Sequence, residues 1–136
     1  MDDSKTCDEV LLRFDEPGTC RAMILEDDGR VAYAYLLEHG ELVGDVWLYN
    51  VSPTPEEDEW KSQSQGPFLN SQRFCKAASV PRLQQNSAVM CKWYDAGVEV
   101  SVDGVLMARL EGGAKPGWSR LAIRPGPLAK PLEEVR

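Results

Sequence analysis

Apolar and polar positions alternate with a period of two over two separate stretches of the chain. That spacing predicts strands, because successive side chains of a strand point to opposite faces. The first stretch, from Cys20 to Val51, reads as a meander. Arg21 to Glu26 forms a strand, Asp27-Asp28-Gly29 a turn, Arg30 to Glu38 a second strand, His39-Gly40 a turn, and Glu41 to Asn50 a third strand. In the middle strand Val31, Tyr33, Tyr35 and Leu37 share one face, and Ala32, Ala34 and Leu36 the other. Both faces are largely apolar, so this strand belongs in the middle of a sheet, covered on two sides. In the third strand Val43, Asp45, Trp47 and Tyr49 line one face, opposite Leu42, Gly44, Val46 and Leu48.

The second unit runs from Ala88 to Glu111. Ala88 to Tyr94 is one strand, turned by Asp95-Ala96-Gly97. Val98, Val100 and Val102 then alternate with Glu99, Ser101 and Asp103, giving one buried and one wet face. Asp103-Gly104 is a two-residue hairpin signal, since a type I′ turn needs positive φ at both central residues, and Val105 to Glu111 returns as the partner strand. Residues 51–87 are less regular. Thr54-Pro55-Glu56-Glu57 reads as a helix start with one or two turns through Trp60: threonine caps, proline suits the first turn, and glutamates favour the positive end of the helix dipole. Ser62 to Asn70 reads as a loop, and Arg73 to Ser79 fits a short strand as well as a helical turn. From Gly112 onward, Pro116, Pro125, Pro127 and Pro131 break the pattern, so this segment wraps over the body with Trp118, Leu121 and Ile123 as apolar anchors. The expected fold is mainly β: an antiparallel sheet or sandwich of about seven to eight strands with one or two short helices. It forms a single β-rich domain over residues 1–136.

Charge sharpens this picture. Residues 1–60 carry 16 acidic and 4 basic side chains, a net of −12, whereas residues 61–136 carry 6 acidic and 11 basic ones, a net of +5. An acidic half of this strength repels nucleic acid and anionic membrane and attracts basic protein surfaces. The cluster Glu56, Glu57, Asp58 and Glu59 around Trp60, joined by the turn acids Asp27 and Asp28, is the candidate partner-binding face; an aromatic set among acids suits a basic protein. The cations Lys115, Arg120, Arg124 and Lys130 are too sparse for a phosphate track and are expected to pair with the acidic half. The acidic N-terminus has no apolar segment after it, and the longest apolar run, Val31 to Leu37, is far short of the ~20 residues that span a bilayer. A cytoplasmic protein is the expectation.

Catalytic signals are missing. His39 is the single histidine and falls at a turn tip. Gly112-Gly113-Ala114-Lys115 lacks the spacing of a phosphate loop, and no nucleophile elbow or dinucleotide fingerprint occurs. Cys7, Cys20, Cys75 and Cys91 are widely and irregularly spaced with no Cys-x-x-Cys pair, which favours reduced structural thiols over a disulfide and, further still, over a metal site. Cys20 and Cys91 lie in apolar strand-like stretches, where cysteine acts as a small hydrophobe. The chain is therefore expected to be no enzyme and to need no cofactor or metal. Trp47 and Trp93 lie in firm strands and are expected to be buried, leaving Trp60 and Trp118 as candidates for exposure.

The stretch Lys115-Pro116-Gly117-Trp118-Ser119-Arg120-Leu121-Ala122, followed by Gly126-Pro127-Leu128-Ala129-Lys130-Pro131-Leu132, resembles the tail of small bacterial proteins. The size, acidity and lack of motifs of the whole chain are similar to those of bacterial immunity proteins. That resemblance implies a non-enzymatic inhibitor that binds and neutralises a cognate toxin, and it carries over no individual site residues. The alternative is a small-ligand or carbohydrate-binding β module using Trp60 or Trp118.

Overall fold

The computed structural model describes residues 9–51, 54, 56, 69–75 and 80–132. It is mainly β. Four strands, β1 (Val10–Asp15), β2 (Arg21–Asp27), β3 (Val31–Glu38) and β4 (Glu41–Asn50), form one antiparallel sheet in chain order. A second sheet holds β5 (Val89–Tyr94), β6 (Gly97–Val102), β7 (Val105–Glu111), β8 (Trp118–Ser119) and β9 (Lys130–Pro131), again in chain order. Its β8 and β9 run parallel, the one departure from antiparallel pairing.

The expected hairpins form where turn chemistry called for them. His39 and Gly40 have φ of 54° and 80°, and Asp103 and Gly104 have φ of 49° and 84°. Both pairs thus adopt the left-handed conformation that a tight hairpin needs. Three strands lie outside the expected set: β1, which pairs along its whole length with β2, and the two-residue β8 and β9. No helix occurs among the described residues. The helical turns expected through Trp60 lie, apart from Thr54 and Glu56, outside those residues, as do residues 76–79 of the Arg73–Ser79 stretch. Its Cys75 forms an isolated bridge with Ala122. Among the described residues no helix is long and apolar enough to cross a membrane.

Alternation decides what the core contains. Met23, Leu25, Ala32, Ala34, Leu36 and Val46 from the first sheet and Val98, Val100, Val102, Met107, Ala108 and Leu110 from the second are all buried, in one continuous apolar cluster. At about 25 cal/mol per Å² of buried apolar area, this shared core is the main source of stability. Two irregularities in the β3–β4 pairing alter the simple alternation. Ala32 faces Tyr49 while Tyr33 faces Trp47, so Leu48 is an extra residue; Leu36 faces Gly44 while Leu37 faces Leu42, so Val43 is another. The first bulge puts Trp47 and Tyr49 on opposite faces of the sheet, correcting the expectation that they share one.

The two sheets meet along the free edge of β4. Gly113 N–H donates to the Val43 carbonyl (2.8 Å), Gly117 N–H to the Asp45 carbonyl (2.7 Å), and Trp47 N–H to the Leu128 carbonyl (3.0 Å). Close approach at this seam requires glycine. A Cβ on Gly117 would stand 2.6 Å from the Arg109 carbonyl oxygen, and one on Gly44 would stand 2.9 Å from that of Glu111. Arg21, at the start of β2, also joins the sheets, reaching to the β5–β6 turn, whose Ala96 carbonyl accepts from Gly112 N–H beside the seam. Its guanidinium donates to Glu16 Oε1 (2.7 Å) and Oε2 (3.1 Å), to the Tyr94 carbonyl (2.9 Å) and to the Asp95 carbonyl (3.2 Å), and lies 5.2 Å from the Trp93 ring centre. The Arg21 partnership holds the Glu16 carboxyl below the usual carboxylate range.

Gly117→Ala drives a methyl group into backbone that side-chain rotation cannot relieve, and is expected to lower stability by about 1–3 kcal/mol. Urea unfolding monitored by tryptophan fluorescence measures this, and a wild-type midpoint would disprove the tight seam.

Candidate partner-binding face

Of the sequence-expected acids, Asp27 is turned away from any surface. Asp27 is completely buried and faces the core side of the first sheet. Its Oδ2 accepts from the Tyr49 hydroxyl (2.6 Å) and from Arg82 Nε (3.0 Å), and its Oδ1 accepts from Gly29 N–H (2.9 Å). Tyr49 Oη in turn accepts from Leu83 N–H (2.8 Å), so the node fastens the 80–83 segment to the sheet. Burial, with the Asp27 hydrogen bond, raises the Tyr49 phenol above its ordinary value. A buried carboxylate needs such partners, since desolvation otherwise disfavours its charge. Asp27 is thus structural and unavailable to a partner. Asp28 also works locally: its Oδ1 accepts from Arg30 N–H and Val31 N–H, both at 2.9 Å, and closes the β2–β3 turn. Glu56 is exposed, whereas Glu57, Asp58, Glu59 and Trp60 lie outside the described residues.

What the fold does assemble is the outer face of the first sheet. Register places Arg13, Ile24, Tyr35 and Asp45 in one row across β1–β4, and Leu11, Glu26, Tyr33 and Trp47 in the next. Tyr33 and Tyr35 stack at 6.1 Å between ring centres with planes 13° apart. The Tyr35 hydroxyl donates to Glu26 Oε1 at 3.3 Å. Tyr33, Tyr35, Leu37, Glu26 and Asp45 are all half-buried, so this side of β3 has less cover than the near-apolar pattern implied. Leu11 and Leu42 are exposed large apolar residues on the same face, 64% and 42% accessible. Trp47 ends its row fully buried: its indole N–H donates to Asn50 Oδ1 (2.8 Å), which also accepts from Asn70 N–H (3.0 Å).

Electrostatics mark Asp45. Partial burial pushes its carboxyl up from the ordinary value, and the nearby Lys115 charge opposes that rise. Tyr35, between Glu26 and Asp45, is also raised, chiefly by burial and then by the Glu26 charge. An aromatic pair beside carboxylates, one of them poorly solvated, suits an incoming guanidinium or ammonium group.

The remaining candidates fall elsewhere. His39 is exposed at its turn, as expected. Cys20 is exposed in the turn before β2 and not packed in a strand; Cys75 is buried and Cys91 half-buried, and all three are free thiols. Burial pushes the Cys75 and Cys91 thiols up to about 11. Among the described residues no cluster of His, Cys, Asp and Glu has the makings of a metal site. Of the C-terminal cations, Lys115 influences Asp45, Arg120 Nε donates to the Leu106 carbonyl (2.6 Å), and Lys130 lies over the Trp118 ring. Trp93 and Trp118 are both half-buried.

Two measurements follow from this geometry. A raised folded-state carboxyl pKa means that ionised Asp45 opposes folding. The penalty is absent below the ordinary value of 3.8, grows as pH rises through the raised value, and is constant above it. Asp45→Asn should therefore raise Tm at pH 7 by about 1–2 °C, with the gain vanishing near pH 3.5; an equal gain at both pH values would contradict this origin. In brief maleimide labelling of the native protein at pH 7.5, Cys20 should react well before Cys75 and Cys91, and peptide mapping reads the order.

Comparison of the chain with protein-family models, with curated proteins and with solved structures found no match.

Proposed function

We propose that this chain is a non-enzymatic acidic protein-binding module built as a β-sandwich, and that it acts as an immunity-type inhibitor of a basic, toxin-like protein. The observation that carries the reading is the outer face of the first sheet, where the Tyr33–Tyr35 pair is flanked by Glu26 and Asp45 and bordered by exposed Leu11 and Leu42. Aromatic anchors supply affinity at protein interfaces, and surrounding charge of one sign speeds encounter with the opposite sign. The net charge of −12 over residues 1–60 supplies the long-range field. In sequence, Glu56, Glu57, Asp58 and Glu59 beside Trp60 add to the acidic charge of this half of the chain, while the buried Asp27 has no part in the face.

The poorly solvated Asp45 carboxylate adds support: a side chain that opposes folding at neutral pH has a use when a partner cation neutralises it. The basic partner is captured from host lysate at low salt, identified, and purified for titration. Tyr35→Ala should weaken its binding at least ~30-fold, and Glu26→Lys with Asp45→Lys should abolish it. Asp45→Asn should give a more stable protein that binds more weakly. The association rate should fall about tenfold between 50 and 500 mM salt. Undiminished binding by both Tyr35→Ala and the double lysine variant would remove this face from the mechanism.

A further inference from the structure

The second sheet has an outer face of different character. Register aligns Lys92, Glu99, Arg109, Trp118 and Lys130 in one row across all five strands, with Tyr94 and Glu111 in the adjacent row. Lys92, Tyr94, Glu99, Arg109 and Glu111 line an open groove of about 340 Å³, the scale of small-ligand sites. The two cations and two carboxylates sum to zero charge while presenting both signs.

Arg109 is the anomaly here. Among the described residues two arginines stack on tryptophan, Arg21 over Trp93 at 5.2 Å and Arg109 over Trp118 at 5.5 Å. Arg21 makes four hydrogen bonds through its fork. The Arg109 guanidinium makes none among the described residues, although its side chain is only 23% exposed; its ion pair with Glu99 is long, 3.6 Å from Nε to Oε2. A guanidinium held by stacking, with its donor fork unfilled, is prearranged for a bidentate oxyanion. Lys92, exposed one strand beyond Glu99 in the same row, adds a second cation that no described residue pairs.

The rest of the groove limits what else the ligand carries. Glu99 and Glu111 repel a dianion, while Glu111 Oε2 already accepts from the Tyr94 hydroxyl (2.8 Å) and is thereby fixed in place. Cations from the strands on either side, Arg109 and Lys130, lie over the Trp118 ring at 5.5 and 4.4 Å, so that indole is occupied and offers no free platform for stacking a sugar. We propose that this groove binds a free α-amino acid as its zwitterion. The ligand carboxylate takes the Arg109 fork, with the Lys92 charge beyond Glu99 adding longer-range attraction; the ammonium lies between Glu99 and Glu111, and Tyr94 walls the side chain. This site is on the opposite sheet from the partner-binding face and does not depend on it.

The test is saturation-transfer NMR on the intact chain at pH 7 with each of the twenty amino acids, followed by titration of the Arg109 Nε–H resonance with any that binds. The expected result is at least one binder that shifts this resonance. Its N-acetyl and carboxamide derivatives should bind at least ~10-fold more weakly, because each lacks one charge. Arg109→Lys keeps the charge but loses the fork and should weaken binding by a similar factor, with Lys92→Gln weakening it by about threefold. No binder among the twenty overturns the proposal, as do derivatives that bind within about twofold of the parent or a folded Arg109→Lys with wild-type affinity. If Arg109→Lys does not fold, unchanged affinity in Lys92→Gln overturns it instead.

Discussion

Everything in this molecule hangs on the hydrogen bonds that complete the free edge of β4. A sheet edge is a row of unmet donors and acceptors, and an exposed one invites pairing with another chain. Here Gly113, Gly117 and Leu128 meet it. Those bonds also place β8 beside β7 and carry the second sheet across the first, so one set of contacts satisfies an edge and closes the core. The glycines at the seam are part of the same constraint, because any side chain on Gly117 would hold the backbones apart.

Charge is divided between burial and display in a way that net charge alone conceals. Asp27, Glu16 and Asp28 hold the structure together: one fastens a distant segment, one orients Arg21, and one closes a turn. Glu26 and Asp45 stand half-buried beside tyrosines on the outer face. The acids that hold structure have donors at short range, whereas Asp45 has a compensating charge in Lys115 and a carboxyl raised by desolvation. Carboxylates with full sets of donors are poor candidates for recognition because a partner would have to displace bonds already made.

The six strands of the two hairpin units were legible in the sequence because each has alternation flanked by turn residues with a defined φ requirement. β1 was not: Leu11, Arg13 and Asp15 show a mixed outer face, and the strand exists because β2 offers it a full-length edge. β8 and β9 are two residues each and have no period to detect; tertiary pairing alone makes them strands. The site was less legible still. Asp27 reads as a turn acid in the sequence, and nothing there reveals that Tyr49 and Arg82 converge on it from 22 and 55 residues away. The opposition of Tyr35 and Asp45 depends on a register set by the bulge at Val43, and a one-residue slip would send one of them inward.

The β4 edge has a consequence for biosynthesis. The residues that cover it, Gly113 to Leu128, leave the ribosome about sixty to eighty residues after β4 itself, several seconds later at about 5–20 residues per second. For that interval the β4 edge of the first meander has none of these partners, and until β5–β7 emerge its apolar inner face also lacks the second sheet. Protection during translation must come from outside the chain or from speed. Slow codons between β4 and Gly113 would lengthen this window of adhesion, and fast ones would shorten it, without changing a single amino acid.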